Sequence, residues 1–234
     1  MTDKLPPIAI LAGGLATRLY PITETIPKAL IDINGKPFIA HQFDLLTQNE
    51  IDRVVLCVGH LGEMIQDVVG DGSAYGLEVK YSFDGETLLG TGGAIKKALS
   101  LFDDEFFILY GDSYLTCHYR DIHTAFCANE QIGLMTVYKN DNHFDNSNVI
   151  FRDGQIIKYD KNQQTPEMQH IDYGLGLLRK DAFDDFSSDQ KFDLADVYQA
   201  LVQQKQLLGY EVHERFYEIG SHQGIQELQQ YLRG

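Results

Sequence analysis

Strand-like and helix-like segments alternate along the first half of this 234-residue chain, and that order restricts the fold more than any other feature. Four short runs rich in Ile, Val, Phe and Tyr are typical of buried strands, and the stretches between them carry apolar residues at helical spacing. The strands are predicted at residues 8–11, 54–58, 77–81 and 106–110, and the helices at residues 38–48, 62–69 and 92–101. This order predicts an α/β fold with a mixed, mainly parallel sheet, helices on both faces and a ligand at the carboxyl ends of the strands.

The second half of the chain has a different pattern, in which strands follow one another. The Asp153-Gly154 pair predicts a hairpin turn, and the antiparallel strands would either join the same sheet or form a small lobe over it. No linker rich in Pro, Gly or Ser divides the chain, so residues 1–234 are expected to form one domain. The predicted elements are strands at 132–138, 147–152, 155–159, 171–178 and 216–219, and helices at 192–204 and 222–232.

The net charge excludes two classes of partner. The chain has 19 Lys and Arg against 34 Asp and Glu, a formal charge of −15. Proteins that bind nucleic acid without sequence preference, or that bind membrane surfaces, need a surplus of cations, so neither partner is expected. No run approaches the roughly 18 to 20 apolar residues of a membrane span, and the opening residues lack a signal-peptide pattern. A cytoplasmic location is therefore expected.

Cysteine and histidine usage gives no metal or disulfide signature. Cys57, Cys117 and Cys127 are three in number and contain no CxxC pair, so they are expected to be buried, reduced thiols. The eight histidines are scattered without an HExxH motif or a pair of histidines at i and i+4, which predicts no metal cluster.

A glycine loop directly follows the first predicted strand. Gly13 and Gly14 let backbone N–H groups approach a phosphate, and Arg18 and Lys28 supply cations that a triphosphate requires. The spacing does not match the phosphate-loop pattern GxxxxGK(S/T) or the dinucleotide pattern GxGxxG. On the glycines alone, a tight turn with two surface cations is equally compatible.

The complete stretch resembles the signature of the sugar-phosphate nucleotidyltransferases, GGxxTRLxPxTxxxPKxLxxxxGKPF. It is matched at Gly13 to Thr23, at Pro27 to Leu30 and at Gly35 to Phe38, with Ala16 where many members have Gly. In this family the loop wraps the nucleoside triphosphate, which implies catalytic roles for Arg18, toward the departing pyrophosphate, and for Lys28. A second glycine turn lines the base and ribose. The nucleotide-binding residues implied are Leu11, Ala12, Gly13, Gly14, Thr17, Gly90, Thr91 and Gly92.

The resemblance also implies an architecture. It is the three-layer, Rossmann-like nucleotidyltransferase fold without a C-terminal β-helix. The nucleotide-binding half would be about residues 1–115, and the sugar-binding half about residues 116–234.

Two acids are candidates for holding Mg²⁺. Asp112 ends an apolar strand at the sheet's carboxyl edge, where its carboxylate suits Mg²⁺, although a single Asp after a strand is more often a turn residue. The sequence Gly111-Asp112 is similar to the family's GD motif, which implies that Asp112 is a catalytic residue and a metal ligand. Glu218 stands where the family's second metal acid is commonly Asp, and the alternative is a solvated Glu on an edge strand.

The sugar-phosphate site implied by the resemblance consists of Asn148, Lys161, Asp172 and Gly174. Asp160-Lys161 is similar to the family's Glu-Lys pair, in which the lysine meets the sugar phosphate, and Asp172 replaces a common Asn. For all four residues, the alternative is an ordinary structural role in turns or on the protein surface.

The implied reaction joins an NTP and a sugar 1-phosphate into an NDP-sugar and pyrophosphate, with Mg²⁺ as cofactor. The subgroup that the chain resembles comprises D-glycero-D-manno-heptose 1-phosphate and mannose 1-phosphate guanylyltransferases, so GTP is the favoured nucleotide, with a role in lipopolysaccharide or capsule synthesis. A uridylyl-, thymidylyl- or cytidylyltransferase for a sugar 1-phosphate or phosphocholine is the alternative, as is a non-catalytic subunit that senses nucleotide sugars. A dinucleotide-binding oxidoreductase is disfavoured because the glycine loop does not match the GxGxxG pattern. The sequence does not decide between a monomer and a homo-oligomer.

Overall fold

The computed structural model describes residues 4–187 and 190–234. Residues 1–3, which belong to the opening stretch without a signal-peptide pattern, lie outside the described residues. Within the described residues no helix combines the length and the apolar character that crossing a bilayer requires.

Thirteen strands and six α-helices make up the described chain, joined in part by short 3₁₀ turns. The helices are α1 (Phe38–Gln48), α2 (Gly62–Val69), α3 (Gly90–Ala98), α4 (Tyr119–Cys127), α5 (Leu194–Gln204) and α6 (His222–Tyr231). The strands are β1 (Ile8–Leu11), β2 (Asp32–Ile33), β3 (Lys36–Pro37), β4 (Arg53–Val58), β5 (Glu78–Phe83), β6 (Glu105–Tyr110), β7 (Ser113–Leu115), β8 (Gly133–Lys139), β9 (Val149–Arg152), β10 (Gln155–Tyr159), β11 (His170–Arg179), β12 (Leu207–Val212) and β13 (Phe216–Glu218).

Nine strands form one mixed sheet in the order β5-β4-β1-β6-β11-β8-β12-β10-β9. The first four are parallel, β8 and β12 are parallel, and β11 and β10 run antiparallel to their neighbours. In this described sheet seven of the nine strands therefore share one direction, which confirms the mixed, mainly parallel prediction. The antiparallel strands join the main sheet instead of forming a separate lobe, because β11 pairs with β6.

Strand β1 shows why the fold has three layers. Its alternate residues point to opposite faces of the sheet. Ile8 and Ile10 belong to a buried cluster that includes Phe43 of α1, whereas Ala9 belongs to a second cluster that includes Ile95 of α3. Helices α2 and α4 contribute to the first cluster and α5 to the second, so helices cover both faces as predicted.

A third buried cluster joins the glycine loop to the end of the chain. It contains Leu19, next to Arg18, and Ile219, next to Glu218, packed with Leu228 of α6. Because all three side chains are fully buried, the loop and the final helix are fixed relative to each other.

The predicted hairpin is confirmed, while five elements, β2, β3, β7, β12 and α4, were not predicted and one thiol differs from the prediction. Asp153 and Gly154 both have positive φ, 50° and 78°, as a two-residue type I′ turn requires. Strand β12 and helix α4 were not predicted, because Gly209 and charged residues interrupt the apolar pattern of each segment. Cys57 and Cys117 are buried, but the prediction for Cys127 is wrong, since it ends α4 and is exposed.

Replacing Ser221 tests the role of the α6 cap. The Ser221 hydroxyl accepts a hydrogen bond from the Gly224 N–H at 3.0 Å, so Ser221→Ala should lower the free energy of unfolding by about 1 kcal/mol. For a chain of this size, thermal unfolding should shift down by about 2–4 °C. Ser221→Asp keeps the cap and should unfold near the wild-type temperature; an equal loss in both variants would show that the cap is not the cause.

Candidate active site

Asp112 lies where two central strands end side by side. Strands β1 and β6 are parallel neighbours, with Leu11 opposite Tyr110. The N–H of Gly111 donates to the Leu11 carbonyl at 3.1 Å, and a Cβ at position 111 would lie only 2.3 Å from that oxygen. Glycine is therefore required at position 111 for the chain to turn against β1 and present the Asp112 carboxylate.

A short ladder brings the second acid beside the first. Strand β13 pairs with β7 so that Glu218 is opposite Ser113, and the Ile219 N–H donates to the Asp112 carbonyl at 2.9 Å. Burial raises the pKa of Glu218, and the nearby charge of Asp112 raises that pKa further. The sheet therefore holds two like charges close together.

Both cations of the glycine loop reach this acid pair. Lys28 Nζ lies 2.7 Å from Asp112 Oδ2, and a Cβ added to Gly220 would lie 2.5 Å from Glu218 Oε2 and 3.1 Å from an Arg18 guanidinium nitrogen. Arg18 and Lys28 both lower the pKa of Glu218, which opposes the effect of burial. The four charged residues singled out in the sequence thus lie together.

The acid pair fits the chemistry of Mg²⁺. Asp112 and Glu218 offer carboxylate oxygens, the ligands that this hard cation takes. Burial and, after it, the charge of Asp112 raise the pKa of Glu218, and a bound divalent cation would favour the ionised form of both acids.

A cavity of about 290 Å³ opens beside the acid pair. Six of the residues assigned to the nucleotide line it, together with Lys28 and Asp112: Leu11, Ala12, Gly13, Gly14, Gly90 and Thr91. Thr17 and Gly92 are not part of its lining. Thr17 is exposed and begins a 3₁₀ turn, whereas the Gly92 N–H donates to the Phe192 carbonyl at 3.1 Å. Gly92 therefore ties its turn to the segment before α5, whereas Thr17 lies outside the cavity.

Asp84 was overlooked in the sequence. It follows the last residue of β5 and lines the same cavity, beside the apolar side chains of Leu88 and Ala94. Its Oδ2 accepts the Leu89 N–H at 3.2 Å, and burial raises its pKa. An acid directly after a parallel strand is the same signal that identified Asp112, so the sequence contained the information.

A second cavity, of about 500 Å³, contains the four residues assigned to the sugar phosphate. Tyr110 lines both cavities, and Arg18 and Glu218 line the second one. The two cavities therefore meet beside the charged cluster, and substrates in both would approach the same acids. The four residues are Asn148, Lys161, Asp172 and Gly174.

Asp172 organises the wall of this second cavity. Its Oδ1 accepts the Gly174 N–H at 3.0 Å, and its Oδ2 accepts the hydroxyls of Tyr159 at 3.1 Å and Tyr110 at 3.4 Å. Asn148 Oδ1 in turn accepts the backbone N–H of Asp172 at 2.9 Å. Asp172 therefore fixes the two tyrosines and the backbone that surround the cavity.

Lys161 brings a cation to the same wall. Its Nζ donates to the Tyr110 hydroxyl at 3.2 Å and lies 5.0 Å from the centre of that ring. Burial raises the pKa of Asp172, and the charge of Lys161 partly opposes this. Lys161 has ammonium donors available for an anionic group in the cavity.

The family model described as Nucleotidyl transferase matches residues 8–233. The chain belongs to this family. A D-glycero-alpha-D-manno-heptose 1-phosphate guanylyltransferase of Aneurinibacillus thermoaerophilus is 31% identical over 232 residues, covering 95% of this chain and 98% of the relative. The protein of the same name from Campylobacter jejuni is 34% identical over 191 residues, which cover 81% of this chain and 83% of the relative. The chain is therefore a member of the sugar-1-phosphate nucleotidyltransferases.

A solved structure confirms the fold. A putative glucose-1-phosphate thymidylyltransferase from Bacillus anthracis has a TM-score of 0.86 and 20% identity, covering 97% of this chain and 95% of that chain. The Rossmann-like nucleotidyltransferase architecture expected from the sequence is thus confirmed.

Replacing Asp172 tests its buried charge. Because its native pKa is raised above 3.8, the native state binds more protons than the unfolded state just above that pH, and stability falls as pH rises through this window. Asp172→Asn removes this penalty but loses hydrogen bonds that only the carboxylate can accept, so the unfolding midpoint of the variant relative to that of the wild type should be higher at pH 8 than at pH 4. Urea titrations at both pH values measure this; a difference between variant and wild type that does not change with pH would refute the electrostatic cause.

Proposed function

We propose that this enzyme transfers the guanylyl group of GTP to a heptose or mannose 1-phosphate, with Mg²⁺ held by Asp112 and Glu218. The choice of GTP is based on the Asp84 carboxylate, which lines the first cavity, the one assigned to the nucleotide. The names of the two similar heptose 1-phosphate guanylyltransferases support the same substrates. Such a product would serve lipopolysaccharide or capsule synthesis in the cytoplasm.

The donor pattern of guanine suits Asp84. Guanine presents two adjacent donors, N1–H and the N2 amino group, and a carboxylate can accept both. Uracil and thymine present one N–H between two carbonyl oxygens, which would face the negative charge of Asp84. Leu88 and Ala94 line the same cavity and offer apolar contact to the faces of a base. These features favour GTP over UTP or dTTP.

The reaction needs alignment and charge neutralisation. An oxygen of the sugar 1-phosphate attacks the α-phosphorus in line, a new P–O bond forms, and the bond to the β-phosphate breaks so that pyrophosphate leaves with its electron pair. The attacking oxygen is already anionic, so no protein nucleophile is required. Mg²⁺, when bound, would neutralise phosphate charge at the acid pair.

The cations are proposed to act on different parts of the reactants. Arg18 follows the glycine loop and lies beside Glu218, where the two cavities meet, and from there it would stabilise the charge that develops on the pyrophosphate as it leaves the nucleotide. Lys28 lines the first cavity and would contact the triphosphate. Lys161 would hold the sugar phosphate for in-line attack.

Replacing Asp112 tests the metal assignment. Asp112→Asn keeps the size of the side chain but removes the charge, so pyrophosphate release should fall at least about 100-fold. Mg²⁺ should raise the melting temperature of the wild type and leave that of the variant unchanged. Asp67→Asn, on the exposed surface of α2, is the matched control and should remain active. Near-normal pyrophosphate release by folded Asp112→Asn would overturn the assignment.

A substrate screen tests the choice of base. Pyrophosphate release should be measured with five NTPs against hexose, heptose and aminosugar 1-phosphates and phosphocholine. GTP should give the highest kcat/KM, and Asp84→Asn should lower that value about 10- to 100-fold, because charged hydrogen bonds are lost. The variant should change turnover with UTP less. A wild type that prefers UTP, dTTP or CTP would contradict the proposal for Asp84.

A regulatory protein without turnover is the second candidate from a different class. The observation that favours this candidate is Glu218, which stands where the family's second metal acid is commonly Asp. The joint presence of Arg18, Lys28, Asp112 and Glu218 around one point favours catalysis instead. If the folded wild-type protein releases no pyrophosphate with any substrate pair of the screen, the regulatory role is supported.

A further inference from the structure

Three side chains with metal-binding atoms converge at the end of β6 that is remote from the catalytic acids. Glu105 is the first residue of β6, whereas Asp112 lies two residues beyond its last residue, Tyr110. At the rise of a β-strand, the five residue steps from Glu105 to Tyr110 correspond to roughly 17 Å. His123 and Cys127, on α4, lie next to Glu105. The cluster is therefore separate from both cavities described above.

The geometry centres on one ring nitrogen. His123 Nε2 lies 2.8 Å from Glu105 Oε1 and 3.4 Å from Cys127 Sγ, and the three donor atoms all lie within 4.8 Å of one another. These separations are close to those between ligand atoms that share one metal ion. A cation bound among the three atoms would be coordinated by an oxygen, a nitrogen and a sulfur ligand.

We propose that Glu105, His123 and Cys127 form a site for Zn²⁺ or a similar transition-metal ion. Carboxylate oxygen, imidazole nitrogen and thiolate sulfur together are a donor set that Zn²⁺ accepts, whereas Mg²⁺ takes oxygen ligands. Three protein ligands leave a fourth, tetrahedral position for water. The site is thus chemically distinct from the proposed catalytic Mg²⁺ site.

The fold holds the three ligands in place. His123 and Cys127 are four residues apart and share one face of α4. Phe126 and Ile122 of the same helix are fully buried, and the His123 ring lies 6.3 Å from the ring of Phe107. The helix is therefore anchored, and only small shifts would be needed to open the 2.8 Å contact to the spacing around a metal ion.

The electrostatic surroundings of the cluster contain both signs of charge. Arg179 is opposite Glu105 in the β11–β6 ladder, and its guanidinium lies 5.1 Å from the ring of Phe126. Asp103 and Asp104 precede Glu105 and line the adjacent surface groove with it.

Binding of the metal ion would release the thiol proton of Cys127, so the affinity for the metal should fall as the pH is lowered. The ion would link the end of α4 to the start of β6 and stabilise the fold.

A cobalt titration tests the proposal. Co²⁺ bound to a thiolate gives a ligand-to-metal charge-transfer band in the near ultraviolet, and carboxylate sites such as the acid pair do not. Burial raises the pKa of Cys57 and of Cys117 to about 12, so these thiols remain protonated near neutral pH. A band would therefore report Cys127. It should saturate at one ion per chain, and Zn²⁺ should displace it.

Variants separate the site from incidental binding. Cys127→Ser should abolish the band, and His123→Gln and Glu105→Gln should weaken binding at least about tenfold. His118→Gln, at the exposed start of α4, is the matched histidine control and should bind like the wild type. Zn²⁺ should raise the melting temperature of the wild type but not of Cys127→Ser. No band in the wild type, or an unchanged band in Cys127→Ser, would overturn the proposal.

Discussion

The close approach of two partly buried carboxylates is the constraint around which the candidate active site is arranged. Asp112 and Glu218 come from distant parts of the chain and are held together by the β7–β13 ladder and the Ile219-to-Asp112 hydrogen bond. Burial and, after it, the nearby charge of Asp112 raise the pKa of Glu218, so holding the two ionised acids together costs free energy. The buried cluster that contains Leu19, Ile219 and Leu228 supplies packing that offsets this cost. The glycine loop, the final helix and the acid pair therefore depend on one another.

The same arrangement explains how an acidic protein can bind polyanionic substrates. A net charge of −15 would repel a triphosphate at long range, yet salt screens charges beyond a distance of about 8–10 Å. Arg18, Lys28 and Lys161 are concentrated around the two cavities, where they act within that distance. The acid pair adds a reason for a divalent cation to enter with the substrate. The positions of individual charges around the two cavities, and not the net charge of the chain, determine which ligands the site accepts.

The sequence predicted what is encoded locally. Strand and helix positions in the first half depend on short-range apolar patterns, and helices α1 and α2 match their predicted bounds. The position of Asp112 could be inferred because a parallel strand has a defined carboxyl end. Strand β12 was missed because Gly209 and Glu211 break its apolar run, and its place between β8 and β10 supplies hydrogen bonds that no local pattern reveals.

The contacts that were missed depend on sheet order. Glu105 and His123 are 18 residues apart in the chain, and Tyr110 and Asp172 are 62 apart, so neither pair has a characteristic spacing. Tyr110 meets Asp172 because β6 pairs with β11, and Glu105 meets His123 because α4 packs on the sheet face that carries Phe107. The reaction type can be inferred from the sequence, since the glycine loop and Gly111-Asp112 are continuous segments. The walls that would choose a base and a sugar are assembled from separate strands, and they can change while the acid pair and its loop stay constant.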